Sequence, residues 1–259
     1  TRRVSLDMKG KREKIYIVMP AYNEEANVAV VARQWLSVAA ELESEGHEAS
    51  VIIADDGSTD ATARILAALA AEDKRLTTAS KPNTGHGPTL LYLYKRAVAE
   101  GATYVFQTDS DGQTDPREFR AMWDARAEYD MQVGLRSKRG DGAARAAVAK
   151  VLRAVIRLTT GVSVADANTP FRLMEARALK HLLEIIPEDF FLANAAASAL
   201  AVKAGMRTRW VEISFKPRQA GVNSINIRKI FRIGLSAVKA FRRIGRAAHT
   251  KSWESSQDC

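Results

Sequence analysis

Along the first two thirds of the chain, short apolar runs alternate with longer stretches whose apolar residues recur at helical spacing. The runs "KIYIVM" (14–19), "ASVIIAD" (49–55), "RLTTAS" (75–80), "TYVFQT" (103–108) and "DMQVGLR" (130–136) are rich in β-branched or aromatic residues and read as strands. Residues 24–45, 60–73, 88–100 and 116–128 carry the helical period between them. This βαβα order predicts an α/β fold: a mostly parallel sheet flanked by helices on both faces. "PFRLM" (170–174) and "RTRWVEISF" (207–215) read as later strands, beside helices at 176–185 and 190–204. No internal repeat or low-complexity linker interrupts the pattern. It predicts one domain over 1–224, with a basic amphipathic helix and tail over 225–259 that is part of that domain or appended to it.

The polar residues gather where the strands end. "PAYNEE" (20–25), "DDGSTD" (55–60) and "DSDGQ" (109–113) follow the first, second and fourth strands. Ligands of open α/β sheets sit beyond the carboxyl ends of the strands, so three acidic or amide-rich loops are expected on one rim. In "VFQTDSDGQTDP", Asp109 and Asp111 alternate, which puts both carboxylates on one side of an extended chain. They repel each other unless a cation lies between them. A polar turn capping the next helix is the plainer reading. It accounts for Asp115, Pro116 and Glu118 as a capping box but not for Asp109 and Asp111. An EF-hand is excluded, because Arg120 stands where its last, bidentate glutamate belongs. Two carboxylates and the Gln113 amide oxygen make a hard-oxygen site suited to Mg²⁺ or Mn²⁺, with diphosphate oxygens completing the shell.

In "DDGSTDAT", Ser58 or Thr59 is expected to cap the following helix and Gly57 to permit the turn. Those roles leave Asp55 over, and a carboxylate there can accept from a base N–H or from ribose hydroxyls. No G-x-x-x-x-G-K-[ST] loop occurs. "GHGPTL" (85–90) has Leu90 where a dinucleotide fingerprint needs its third glycine. Its glycines read instead as a close helix–loop approach, with His86 facing either the site or solvent.

Composition narrows the setting. At 259 residues, 46% apolar and 27% charged, the chain reads as a soluble globular protein. No stretch reaches the roughly 18 apolar residues of a spanning helix. The opening "TRRVSLDMKGKREK" is basic without the apolar segment of a secretory signal. Cys259 is the only cysteine, which excludes an internal disulfide and fits a reducing, cytoplasmic setting. The net charge of +9 is concentrated: from Ile213 to Trp253 there is no Asp or Glu but ten Lys or Arg. That imbalance calls for an anionic partner, nucleic acid or a membrane surface. No nucleic-acid-binding module is recognisable, so nucleic acid is not expected. In 225–246, Ile227, Ile230, Phe231, Leu235, Val238 and Phe241 form one stripe, and Arg228, Lys229, Arg232, Lys239, Arg242 and Arg243 fill much of the rest. Such a helix, roughly 33 Å long, either lies in an anionic bilayer interface or docks on the sheet with its basic face solvated.

Taken in order, "IVMPAYNEE", "IIADDGSTDAT", "KPNTGHG", "QTDSDGQTDP" and "DANTPFRLM" resemble a family 2 glycosyltransferase with the GT-A fold, in particular the polyprenyl-phosphate branch that includes dolichyl-phosphate mannose synthases. The likeness runs from about Ile15 to Ser224. It implies a metal-dependent, inverting transfer from a UDP- or GDP-sugar to a polyprenyl phosphate, by a protein peripheral on the cytoplasmic face of a membrane. It makes Pro20, Ala21, Tyr22 and Glu24 the floor of the nucleotide pocket, and gives base and ribose to Asp55 and Asp60. Asp109, Ser110 and Asp111 become the D-x-D triplet, with Gln113 as a further metal ligand. Arg136 matches a phosphate-contacting arginine, although Leu135 stands where the family has serine. Arg218 matches a basic residue before "G-x-S", a motif that Asn223 interrupts.

The chemistry agrees with that pattern. A glycosyl transition state is oxocarbenium-like while the leaving nucleoside diphosphate gains negative charge. A divalent ion on the diphosphate stabilises that charge. A hydroxyl acceptor needs a base, and "PEDFF" offers Glu188 and Asp189, which are equally explained as acids at a helix start after Pro187. A phosphate acceptor, with a second pKa of about 6, needs none. Two other readings stay open. One is a GT-A transferase acting on a soluble or glycan hydroxyl with Asp189 as base. The other is a nucleotide-sugar-binding, membrane-associated module without turnover, against which the intact Asp109 and Asp111 argue.

Overall fold

Among the described residues seven strands form one sheet: β1 (Lys14–Ala21), β2 (Glu48–Asp55), β3 (Leu76–Ser80), β4 (Tyr104–Thr108), β5 (Met131–Arg136), β6 (Phe171–Glu175) and β7 (Thr208–Ile213). The computed structural model describes residues 12–136, 142–216, 227–247 and 253, with backbone alone for 142–147, 227–235 and 247. The strand order is β3-β2-β1-β4-β6-β5-β7. Pairs β1–β2, β2–β3, β1–β4 and β5–β7 are parallel, and β6 runs antiparallel to both neighbours. The expected α/β fold with a mostly parallel sheet is what forms. β1, an interior strand between β2 and β4, is buried at every position after Lys14, as a strand covered on both faces requires.

The helices are α1 (Val28–Ser44), α2 (Thr62–Glu72), α3 (His86–Ala99), α4 (Phe119–Asp124), α5 (Gly142–Thr160), α6 (Ala176–Leu183), α7 (Ala193–Lys203) and α8 (Ile227–Ala247). On one face of the sheet, α1 presents Val28, Val31, Ala32, Trp35, Leu36, Ala39 and Leu42, a single apolar stripe at helical spacing. Trp35 packs there against Phe106, Phe119 and Phe171. The other face carries a second core cluster, to which α3, α5, α6, α7 and α8 contribute. From Ala193 to Ala201, α7 is buried at every residue, so it runs through the core.

Three expectations change. The single helix expected over 116–128 is instead a 3₁₀ turn (Pro116–Glu118), α4 and a second 3₁₀ turn (Arg126–Glu128). Its capping box does not close. Asp115 accepts from the Arg117 N–H at 3.1 Å, but Glu118 Oε1 takes the Ser214 N–H at 2.8 Å, because the chain leaving β7 passes beside the turn. No element is expected over 142–160, yet α5 forms there, with Leu152, Val155 and Ile156 packing inward at helical spacing.

The described part of α8 is docked. Ala237, Phe241 and Ile244 are buried in the core, Val238 packs against it, and the Phe241 ring meets the Phe190 edge at a centroid distance of 5.5 Å. A side chain on Gly245 would stand 3.2 Å from the Thr159 carbonyl, so glycine lets α8 approach the end of α5. Val238 and Phe241 therefore cannot insert into a bilayer as this helix lies. The rest of the expected stripe, and Arg228, Lys229 and Arg232, fall on side chains outside the described ones. Lys239, Arg242, Arg243 and Arg246 are exposed. Among the described residues no helix is long and apolar enough to cross a membrane.

Candidate active site

Register brings the polar loops together. Ala21 lies opposite Asp55, Asp55 opposite Ser80, and Val18 opposite Gln107, so the loops after β1, β2 and β4 leave the same rim. They are also stitched to one another. The Asp56 N–H donates to the Ala21 carbonyl at 2.8 Å, and the Ser110 hydroxyl to the Pro20 carbonyl at 2.8 Å. Asn23, in the left-handed region at φ 53°, accepts the Thr59 N–H at 2.8 Å, and its own N–H donates to Ser58 Oγ at 2.9 Å. Ser58 and Thr59 thus join two loops and do not cap α2, contrary to expectation.

Asp60 supplies the turn before α2. Its Oδ1 accepts from Thr62 N–H at 2.9 Å and Thr62 Oγ1 at 2.5 Å, and its Oδ2 from Glu25 N–H at 3.1 Å. Burial would raise its pKa, but these bonds outweigh it and hold the carboxyl below its ordinary value. Both oxygens accept from the loops, so Asp60 builds the turn on the rim where base or ribose contact is expected of it. Glu24, buried, accepts from Asn27 Nδ2 at 2.8 Å. Tyr22 is exposed on the rim.

Asp55 is 3% exposed and accepts from Ser58 N–H and Ser80 Oγ, each at 3.2 Å. Its neighbour Asp56, equally buried, forms an ion pair with Lys81 and accepts the Thr84 and Gly85 N–H groups at 3.0 and 2.9 Å. Burial opposes its ionisation, yet Lys81 and the Thr84 N–H prevail, and its pKa falls below the ordinary value. Asp56 thereby fixes the "KPNTGHG" loop. Gly57, at φ 73°, makes the turn beside it, where a Cβ would come within 2.8 Å of the Asn83 nitrogen.

Asp109 and Asp111 stand just past β4. Asp109 Oδ1 meets His86 Nε2 and Gln107 Nε2, each at 3.1 Å. An ionised carboxylate only accepts, so both nitrogens carry the hydrogen. His86, at the start of α3, therefore faces the carboxylates. Burial would lower its pKa, but Asp109, Asp111 and Asp56 raise it above the ordinary value. Asp111 Oδ1 accepts the Gln113 N–H at 3.1 Å. Gln113 Nε2 donates to the Lys216 carbonyl at 2.8 Å, and the Gln113 carbonyl accepts the Lys216 N–H at 2.8 Å. That ties the chain after β7 to the D-x-D loop and leaves Oε1 as the Gln113 atom that could ligate an ion.

Asp189 is exposed in the loop between α6 and α7, and Glu188 pairs with Lys95. That loop is pressed on α3. A Cβ on Gly87 would lie 2.4 Å from the Phe190 carbonyl oxygen and 2.6 Å from that of Phe191. The close approach expected of the "GHG" glycines is real at Gly87, and it sets the Asp189 loop beside His86. Arg136 forms a bidentate pair with Asp166, Nε–Oδ2 at 2.9 Å and Nη2–Oδ1 at 3.0 Å. This engages the Nε–Nη2 edge, one of the two edges of the guanidinium with which arginine takes a phosphate bidentately. Arg218 lies outside the described residues.

A model of glycosyl transferase family 2 matches residues 16–183. The chain belongs to this family. Curated relatives include undecaprenyl-phosphate 4-deoxy-4-formamido-L-arabinose transferases. The protein from Pectobacterium carotovorum is 24% identical over 224 residues, covering 85% of this chain and 65% of that one. The Pseudomonas fluorescens protein is 27% identical over 179 residues, covering 69% and 52%. The chain thus spans between half and two thirds of these relatives. Among solved structures, glucosyl-3-phosphoglycerate synthase from Mycobacterium tuberculosis, in complex with Mn²⁺, UDP and glucosyl-3-phosphoglycerate, aligns with a TM-score of 0.58 at 17% identity over 90% of this chain and 80% of that one. Mannosyl-3-phosphoglycerate synthase from Rubrobacter xylanophilus aligns with a TM-score of 0.58 at 13% identity over 100% and 80%. At these identities the two structures show a shared GT-A-like fold.

Several polar residues that hold the rim together, or lie buried beneath it, are not expected from the sequence: Asp56, Lys81, Gln107, Asp166, Arg172 and Asn194. Four had a signal. Gln107 and Arg172 interrupt apolar strands, Asn194 interrupts an alanine-rich helix, and Asp56 extends a strand end already carrying Asp55. Polar residues inside apolar runs are buried with partners or exposed with a purpose.

Proposed function

We propose that this chain is a metal-dependent, inverting glycosyltransferase that moves a sugar from a UDP- or GDP-sugar to a membrane-held polyprenyl phosphate. The observation that carries the reading is the pair Asp109 and Asp111 at the end of β4, on the rim shared with the loops after β1 and β2. Among the described residues no group of three or more His, Cys, Asp or Glu forms a metal cage. Two carboxylates without a cage suit Mg²⁺ or Mn²⁺, which are held by one or two carboxylates together with substrate phosphates. Asp109 and Asp111 would hold the ion, with Gln113 Oε1 beside them, and the bound ion would offset the charge gathering on the leaving diphosphate.

Asp55 would accept from the base or ribose, with Pro20, Ala21, Tyr22 and Glu24 lining the same pocket. His86 would keep Asp109 oriented. A phosphate acceptor brings its own nucleophile, so no residue has to remove a proton at neutral pH. The polyprenyl-phosphate acceptor is supported by the similarity to undecaprenyl-phosphate transferases, and the nucleotide by the UDP in the glucosyl-3-phosphoglycerate synthase complex. The exposed basic residues of α8 would meet the anionic membrane that holds the acceptor, with the protein peripheral on its cytoplasmic face. One observation favours a hydroxyl acceptor: the Asp189 loop is pinned by Gly87 next to His86, where a base would be useful.

The test is Asp111→Ala, assayed with UDP- and GDP-sugars, Mn²⁺ and a polyprenyl phosphate. Transfer should be lost while the circular dichroism and melting temperature stay as in the wild type. Undiminished transfer by the variant, or by the wild type in EDTA, would defeat the metal assignment.

A further inference from the structure

Beneath Asp109 lie polar side chains that the proposed reaction does not use. Tyr94, Gln107, Arg172 and Asn194 are 1%, 0%, 0% and 1% exposed. They come from α3, β4, β6 and α7, far apart in sequence. The Tyr94 hydroxyl donates to Asn194 Oδ1 at 2.9 Å, Asn194 Nδ2 to Gln107 Oε1 at 3.1 Å, and Gln107 Nε2 to Asp109 Oδ1 at 3.1 Å. The Arg172 guanidinium fixes the start of α7, donating from Nη1 to the Asn194 carbonyl at 2.9 Å and to Ser198 Oγ at 3.3 Å. Its Nη2 donates to the Thr169 carbonyl at 3.0 Å.

The direction of this chain is dictated from one end. The Asp109 carboxylate can only accept, so Gln107 must turn its NH₂ outward and its oxygen inward. Asn194 must then offer its own NH₂ to Gln107 and its oxygen to Tyr94. A flip of either amide would set two acceptors face to face among side chains that are at most 1% exposed. A buried polar cluster with no further purpose could be replaced by apolar residues of the same shape at little loss. This one instead delivers a single oriented donor to one oxygen of a site carboxylate. Both described contacts of Asp109 fall on Oδ1; among the described residues Oδ2 has no hydrogen bond.

We propose that Gln107 and Asn194, anchored by Tyr94 and Arg172, are positioning residues that lock the Asp109 rotamer and leave Oδ2 for the divalent ion. This rests on the reading of Asp109 as an ion ligand. Partners one bond removed from a metal site, once lost, cost roughly 10-fold to 100-fold in metal affinity or activity.

The experiment titrates Mn²⁺ by electron paramagnetic resonance in the presence of whichever of UDP and GDP the wild type holds more tightly. Wild type, Asp109→Ala, Gln107→Leu and Tyr94→Phe are compared. Calorimetry in EDTA measures nucleotide binding without metal. Gln107→Leu should lower Mn²⁺ affinity by about 10-fold or more and leave metal-free nucleotide affinity unchanged, a split that general loosening of the core would not produce. Tyr94→Phe removes only the last hydroxyl and should weaken Mn²⁺ by a few-fold in the same selective way. It also carries the test if Gln107→Leu does not fold. Wild-type Mn²⁺ affinity in folded Tyr94→Phe or Gln107→Leu, with Asp109→Ala impaired, overturns the positioning role alone. Wild-type Mn²⁺ affinity in Asp109→Ala overturns the ion-site reading and this inference with it.

Discussion

Gly87→Ala probes how the rim is assembled. The added Cβ would lie 2.4 Å from the Phe190 carbonyl oxygen, 2.5 Å from the Phe191 carbonyl carbon and 2.6 Å from its oxygen. All three are backbone atoms, so no rotamer change can relieve them. Ordinary contact begins near 3.4 Å, and α3 and the 187–191 loop must therefore separate by about 1 Å. Overpacking of this kind costs about 1–3 kcal/mol. Alanine returns some of that through helix propensity, at most about 1 kcal/mol in a helix interior and less at this second helical position. A net loss of about 1–2 kcal/mol should lower the melting temperature by roughly 2–4 °C per kcal/mol. The same displacement moves Asp189 and the His86–Asp109 contact, and an error near 1 Å can cost up to about 100-fold in turnover. Calorimetric melting and transferase kinetics on one preparation read both effects. An unchanged melting temperature with unchanged kcat and KM would show that the loop yields freely, and the rigid rim argued from Gly87 would be wrong.

Other outcomes follow from the buried charges and the basic helix. Asp56 titrates below its ordinary value of 3.8 when folded, so its contribution to stability is complete above that pH and is lost as pH falls through the folded value; urea unfolding of Asp56→Asn should show lower stability at pH 7 and a flatter decline below pH 3.8 than the wild type. Parallel acid profiles for the two proteins would contradict the Lys81 pairing. Asp166→Ala leaves a largely buried Arg136 without its bidentate partner and should cost about 3–5 kcal/mol in urea unfolding; a loss under about 1 kcal/mol would place the pair with surface bridges. The triple variant Lys239→Glu, Arg242→Glu, Arg243→Glu should no longer sediment with anionic liposomes at low salt. A wild type that ignores those liposomes would remove the membrane surface from the proposal.

The sheet was legible because its strands and helices carry distinct periods, and the rim because acidic loops follow strands one, two and four. What the sequence hid was direction and partnership. "PFRLM" reads as a strand, but nothing in its alternation says that β6 runs antiparallel between β4 and β5. Asp55 and Asp56 are equivalent by position. Only the fold turns Asp56 toward Lys81 and the Thr84 and Gly85 N–H groups while leaving Asp55 to Ser58 and Ser80. Arg136 could be aligned with a phosphate contact, yet its partner Asp166 lies thirty residues on and is visible only in three dimensions. The same holds for Asn194, 87 residues from Gln107.

The docking of α8 also decides what kind of membrane attachment is open to the described chain. Shallow insertion needs an apolar stripe free to leave the protein, and Phe241, fully buried against Phe190, is not free. What remains on the outside is charge: Lys239, Arg242, Arg243 and Arg246 line one groove with Val238. Near an anionic surface each contributes about 1 kcal/mol, so four give about 4 kcal/mol, equivalent to a Kd near 1 mM. Screening over about 8 Å at physiological ionic strength reduces it further. Contact of that strength is brief and salt-sensitive. It would suit the proposed acceptor, whose phosphate would lie in the headgroup plane, because the enzyme would then have only to bring its rim to the surface while the lipid chain stayed where it is.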